Sequence, residues 1–294
     1  MRSWLAACAL LSALLSAGCG AEPPPAKPFD LMVLSDTHVT TLESEAALRL
    51  DAIVKRVNAG EFPDVELMLV SGDVVDYEHE SYPPPVPEAP YIRNAVTIFD
   101  RLEVPYYLAI GNHDYKFSEE LRAEEPETLQ QMAEVWRAET GRDTYYAFEH
   151  GGFRFIALDN FRGRYLEGND YFDDQQLDWL DEQLEGDTPT ILFFHYPIET
   201  DTDLPWTLDQ SNVIWQEGNR FFDVARAHLD KIKVIFVGHG HLWMRDRLFD
   251  GPLVYETGGL GTPIFSRENY HLVSCDPASG EVDVRPGADA IYVE

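Results

Sequence analysis

Five short clusters in this 294-residue chain carry His, Asp or Asn at spacings suited to metal ligation. They are Asp36-Thr37-His38, Gly72-Asp73, Gly111-Asn112-His113-Asp114, His195 and Gly238-His239-Gly240-His241. Imidazole, carboxylate and carboxamide groups together form a mixed N/O donor set for transition ions. Singly, each cluster is commonplace. Asp-x-His is usually a cap or a surface pair, Gly-Asp a turn, and a lone histidine a hydrogen-bonded core or rim residue. Gly-Asn-His-Asp is stronger, because polar groups directly follow an apolar run. Gly-His-Gly-His is stronger again, because alternate residues can present two imidazoles to one centre. All five in order point to a metal centre.

Such residues need a framework that brings distant segments together. Short apolar runs at 29–34, 67–70, 106–110, 153–158, 191–194 and 234–237 predict buried strands. All but the run at 153–158 lead into one of the clusters. Between the first two runs, Ala47, Leu50, Val54 and Val57 recur at helical spacing, with Gly60 as a stop. Further helices are predicted at 92–102, from near Ser118 toward Trp136, around Leu177, Leu180 and Leu184, and around Phe221, Val224 and Leu229. Strand–helix alternation of this kind implies an α/β fold. Ligands of open α/β sheets bind beyond the carboxyl ends of strands, so the clusters can share one crevice. Runs at 253–257, 271–275 and 281–285 predict a second, partly antiparallel sheet. The proline-rich segment 77–90 and the segment 161–172, with Arg162 and Arg164, read as solvated loops placed to shape a ligand site.

The ordered motif set resembles the calcineurin-like metallophosphoesterase family over nearly all of residues 29–294, which are read as one domain. The resemblance implies a four-layer αββα sandwich of two mixed β-sheets flanked by helices. It implies that Asp36, His38 and His241 hold one metal ion, that Asn112, His195 and His239 hold another, and that Asp73 bridges them. Mixed ligands of this type suit Mn, Fe or Zn more than an all-oxygen Ca or Mg cage. The implied reaction is phosphoester hydrolysis, as a phosphodiesterase or phosphomonoesterase. Two cations about 3.5–4 Å apart would acidify a bridging water to hydroxide and stabilise the displaced charge. His113 would donate a proton to the leaving oxygen, and Asp114 would orient its ring. The motif spacing looks most like the cyclic-nucleotide-phosphodiesterase-like branch. Purple acid phosphatases differ, having Gly where His38 stands and a ligand Tyr where Asp76 stands. The alternative is a metal-stabilised binding or scaffold lipoprotein without turnover.

Lys plus Arg number 22 and Asp plus Glu 52, a formal charge of −30. That balance disfavours a nucleic acid polymer as partner and favours a small phosphoester entering a locally cationic crevice. Hydrophobic residues at 45% can build a sizeable core. Residues 1–18 read as a signal peptide: Arg2 precedes an apolar run at 4–17 that is shorter than the ~20 residues of a membrane span. Leu15-Ser16-Ala17-Gly18-Cys19 resembles a bacterial lipoprotein cleavage box, with Leu one step further from the Cys than usual. It implies an exported protein of the cell envelope, anchored by lipid on Cys19, with residues 19–28 as a proline-rich tether. A cleaved secretory signal with an incidental Cys is the alternative. Cys275 is then the one remaining cysteine of the domain, which rules out an internal disulfide.

Overall fold

The computed structural model describes residues 27–77, 89–115, 126–167, 171–202, 213–263 and 269–287. Two mixed β-sheets pack face to face between helices, an α/β sandwich. The first has five strands in the order β11-β10-β1-β2-β3, the second six in the order β4-β5-β6-β7-β9-β8. The strands are β1 (Phe29–Leu34), β2 (Val65–Val70), β3 (Tyr106–Leu108), β4 (Tyr146–His150), β5 (Phe153–Ala157), β6 (Thr190–Phe193), β7 (Ile232–Val237), β8 (Met244–Arg247), β9 (Leu253–Glu256), β10 (His271–Asp276) and β11 (Glu281–Pro286). β1-β2-β3 and β5-β6-β7-β9 run parallel, while β4, β8, β10 and β11 complete the sheets antiparallel.

The largely apolar runs have a simple cause: both faces of these strands are buried over most of their length. Leu31, Val33, Leu67, Leu69, Phe155, Phe193 and Phe236 fill the layer between the sheets. Their neighbours Met32, Leu34, Met68, Val70, Ile156, Leu192 and Ile235 belong to the other core cluster, with the apolar helix residues. Among the described residues, six helices flank the sheets: α1 (Glu45–Asn58), α2 (Pro90–Phe99), α3 (Pro126–Thr140), α4 (Arg162–Leu166), α5 (Asp174–Gln183) and α6 (Arg220–Ala227). Ser44 caps α1, its hydroxyl accepting from the Ala47 N–H at 3.2 Å, and Asp173 caps α5 through the Gln176 N–H at 2.6 Å. Pro90 starts α2, where a missing N–H costs nothing.

Several expectations need correction. The C-terminal strands do not form a sheet of their own. β9 extends the second sheet beside β7, and β10 pairs with β1 in the first. The expected start of a helix near Ser118 lies outside the described residues, as do the signal peptide, its Cys19 and most of 77–90; within the described residues α3 spans Pro126–Thr140 and contains the buried Trp136. Segment 161–172 includes a short helix, and Arg162 is buried there against Asp173 and the Tyr165 hydroxyl instead of being solvated. Among the described residues, no helix is long and apolar enough to cross a membrane.

Candidate metal centre

The hydrogen-bond ladder of β1 and β2 continues past their carboxyl ends and carries the first ligand candidates. The Ser71 N–H donates to Leu34 O at 2.9 Å, Asp36 N–H to Gly72 O at 3.0 Å, and His38 N–H to Asp73 O at 3.0 Å. Thr37 Oγ1 donates to Val74 O at 2.7 Å, which ties the turn after β1 to the turn after β2. Asp36, His38, Asp73, His239 and His241 have φ values of 52°, 46°, 48°, 76° and 55°. Side chains rarely adopt that left-handed region, and such strain gathers at functional sites. Backbone approach is correspondingly close: a Cβ on Gly111 would lie 2.3 Å from the Asp73 backbone N. At Gly72, with φ 92°, it would lie 2.6 Å from the His195 ring.

These turns bring all seven expected ligands into one cluster. Asp36, His38 and His241 offer donor atoms within 4.8 Å of one another, and so do Asp73, His195 and His239. His241 Nε2 lies 3.1 Å from Asp36 Oδ1 and 3.2 Å from His38 Nε2. Asn112 Oδ1 joins the second group, 2.8 Å from His195 Nε2 and 3.0 Å from His239 Nδ1. Asp73 Oδ2 stands between the groups, 3.1 Å from His195 Nε2 and 3.9 Å from His38 Nε2.

The donor chemistry fits a cation. His195 Nδ1 is 2.9 Å from Ser71 O, which can only accept, so Nδ1 carries hydrogen. In a neutral ring the Nε2 lone pair then faces two oxygen acceptors, Asn112 Oδ1 and Asp73 Oδ2. A proton or a metal ion must relieve that opposition. Without metal, the neighbouring carboxylates favour protons on His195 and His241. Burial disfavours charge on His195, but the Asp73 carboxylate pushes it up to about 9. Burial likewise opposes charge on His241, and Asp36 raises it. Burial holds His38 low, and drives His239, beside His195, down to about 3. Asp36, despite burial, is held at about 2 by His241, and Asp73 is held far below its usual range by His195 and His113. Metal ions would displace those protons, since ligation needs neutral imidazole and ionised carboxylate.

His113 stands at the rim. Its backbone N–H donates to Asp73 Oδ1 at 2.8 Å, and its ring packs edge-on to His38 with centroids 4.8 Å apart. The expected partner of that ring, Asp114, does not meet it. Asp114 is fully buried and accepts the backbone N–H groups of Gly111 at 2.7 Å, Val75 at 2.9 Å and Val74 at 3.3 Å. Burial and the nearby Asp73 push its carboxyl up to about 7. Asp114 therefore ties the loops after β2 and β3 together. The ring partner is Asp76, whose Oδ1 lies 3.1 Å from His113 Nδ1. Burial disfavours the imidazolium, but Asp73 and the Asp76 hydrogen bond push His113 up to about 9. Sequence reasoning missed this role of Asp76; the available signal was its place three residues after Asp73 in the same loop. His150 and His228 pair with Glu66 and Asp181, each at 2.7 Å, and His271 is buried in β10.

A family model described as calcineurin-like phosphoesterase matches residues 29–242. No curated protein matches the chain in sequence. Among solved structures, a dimetal phosphatase from Danio rerio is similar, with TM-score 0.59 and 18% identity over 90% of this chain and 100% of that one. A putative 5'-nucleotidase from Staphylococcus aureus has TM-score 0.50 and 14% identity, over 88% of this chain and 53% of that one.

Proposed function

The chain belongs to the calcineurin-like phosphoesterase family, and we propose that it hydrolyses a small phosphoester using two transition-metal ions of the Mn, Fe or Zn type. Asp36, His38 and His241 would hold one ion, Asn112, His195 and His239 the other, with Asp73 shared. When bound, the ions supply Lewis-acid polarisation of the phosphate and acidify water toward neutral pH. The observation that carries this reading is the convergence of His195 Nε2, Asn112 Oδ1 and Asp73 Oδ2, with the first 2.8 and 3.1 Å from the other two.

The protein's own groups then divide the work. Asp73 accepts the His113 backbone N–H through Oδ1 and keeps Oδ2 between the two ligand groups. Asp76 holds the Nδ1 proton of His113, which leaves Nε2–H to protonate the departing oxygen. Asp114 fixes the loop that presents Asn112 and His113. The lipoprotein-like N-terminus supports an exported, lipid-anchored enzyme of the cell envelope. The motif spacing supports the cyclic-nucleotide-phosphodiesterase-like branch, with a small soluble phosphoester as substrate.

The test is release of p-nitrophenol from bis-p-nitrophenyl phosphate and p-nitrophenyl phosphate with added Mn, then with chelator. Metal-dependent turnover of either supports the proposal. No turnover of these or of a broad phosphoester panel by metal-loaded protein contradicts it and favours the scaffold alternative. Mass analysis of the mature N-terminus tests lipid on Cys19.

A further inference from the structure

The family match ends at residue 242, yet the chain beyond it folds back on the ligand loops. β9 ends at Glu256, a carboxyl group with no solvent exposure. Its Oε1 accepts the Leu242 N–H at 3.1 Å, and the carboxyl also meets the Gly240 N–H. Those two donors flank His241 in the chain. Oε2 is buried and makes no hydrogen bond among the described residues. A carboxyl group buried so completely is costly, so its placement calls for a reason beyond packing.

The segment after β9 closes on the same ligands. Leu260 and Gly261 N–H donate to Ser35 O at 3.1 Å and Asp36 O at 2.8 Å. A Cβ on Gly259 would lie 2.8 Å from the His241 ring, so the backbone there lies against that imidazole. Thr262 Oγ1 is 2.8 Å from His241 Nδ1, the ring nitrogen opposite the one facing Asp36. His241 itself has φ 55°, a left-handed conformation that a residue with a side chain rarely adopts and that its surroundings must hold.

We propose that Glu256 and Thr262 are positioning residues that fix His241, one through the backbone on both sides of it and the other through its ring. They thereby set the affinity of the Asp36–His38–His241 metal position. The inference rests on the two-metal reading above. Partners behind metal-ligating histidines typically change affinity 10–100-fold when removed.

The experiment is Mn titration of the full chain by calorimetry, with thermal midpoints of the metal-free proteins, for Thr262→Val, Thr262→Ser, Glu256→Met and Glu256→Gln. Thr262→Val and Glu256→Met are expected to weaken one of two Mn-binding steps by roughly 10–100-fold and leave the other unchanged. Thr262→Ser restores the hydroxyl and Glu256→Gln the acceptor oxygen, so both are expected within about threefold of wild type. Thr262 is exposed, so its Val variant should keep the metal-free midpoint even if Glu256→Met does not fold. Unchanged Mn steps in Thr262→Val and Glu256→Met overturn the proposal, as does equal weakening of both steps in all four variants. Wild-type protein that binds no Mn would remove the two-metal reading itself, and this inference with it.

Discussion

Asp76→Asn tests the assignment of the proton donor. Asp76 Oδ1 lies 3.1 Å from His113 Nδ1, and both side chains are partly exposed, at 26% and 34%. A hydrogen bond to a charged partner contributes about 1.5–3 kcal/mol, which solvent screening reduces at this exposure. Taking about 1.4 kcal/mol, the imidazolium loses about one pKa unit. His113 in the metal-free protein should therefore fall from about 9 to about 8. The direction follows from the charge: Asp76 favours the protonated ring, so removing its carboxylate lets the proton leave at lower pH. NMR titration of the ring reads this directly. The same shift should appear on the alkaline limb of kcat/KM for an alkyl phosphoester, where the leaving oxygen needs a proton. A p-nitrophenyl ester, whose leaving group needs none, should respond less. An unmoved ring titration in Asp76→Asn, or an equal shift in Asp114→Asn, would refute the assignment.

Asp114→Ala leaves three buried N–H groups without their acceptor, at ~1–3 kcal/mol each. Urea unfolding should show a loss of at least ~3 kcal/mol, an effect on stability that precedes any effect on chemistry. Gly111→Ala sets a Cβ 2.3 Å from the Asp73 backbone N. Calorimetry should show Mn affinity lowered at least ~10-fold, because the proposal has Asp73 serve both metal positions; wild-type affinity would show that the loop can move aside. His271 is driven by burial down to about 3. Its ordinary value is 6.5, so the unfolded chain takes up that proton first as pH falls. Its contribution is complete above about pH 6.5 and is lost toward pH 3, at up to ~1.4 kcal/mol per pH unit. In chelator-treated protein, His271→Gln should show a pH dependence of stability between pH 6 and 5 that is shallower by about that slope.

The parts legible in the sequence were those governed by burial on two faces. The runs that became β1, β2, β5, β6 and β7 are apolar because helices cover one side and the opposite sheet the other. β8, with the sequence MRDR, was not legible, since three of its four residues are charged and the edge position leaves them partly exposed, so no apolar run marks it. β4, half-buried at the other edge, was missed for the same reason. Sheet membership of β9 and β10 was hidden because pairing partners lie far away in the chain: Val33 opposes His271 and Val237 opposes Glu256. At the site, ligand types and order could be read from strand ends. The roles of Asp76 and Asp114 could not, because the packing of the loops after β2 and β3 against each other decides which carboxylate meets the ring and which meets backbone N–H groups. Glu256 gave no motif at all; only burial beside the Leu242 N–H reveals it.

Metal stoichiometry of wild type against Asp73→Asn tests the shared-carboxylate geometry most directly. After reconstitution with Mn and removal of excess, elemental analysis should give two ions per wild-type chain and one or none in Asp73→Asn. Wild-type protein without metal under every loading condition, or the same two ions held with unchanged affinity by Asp73→Asn, would contradict it.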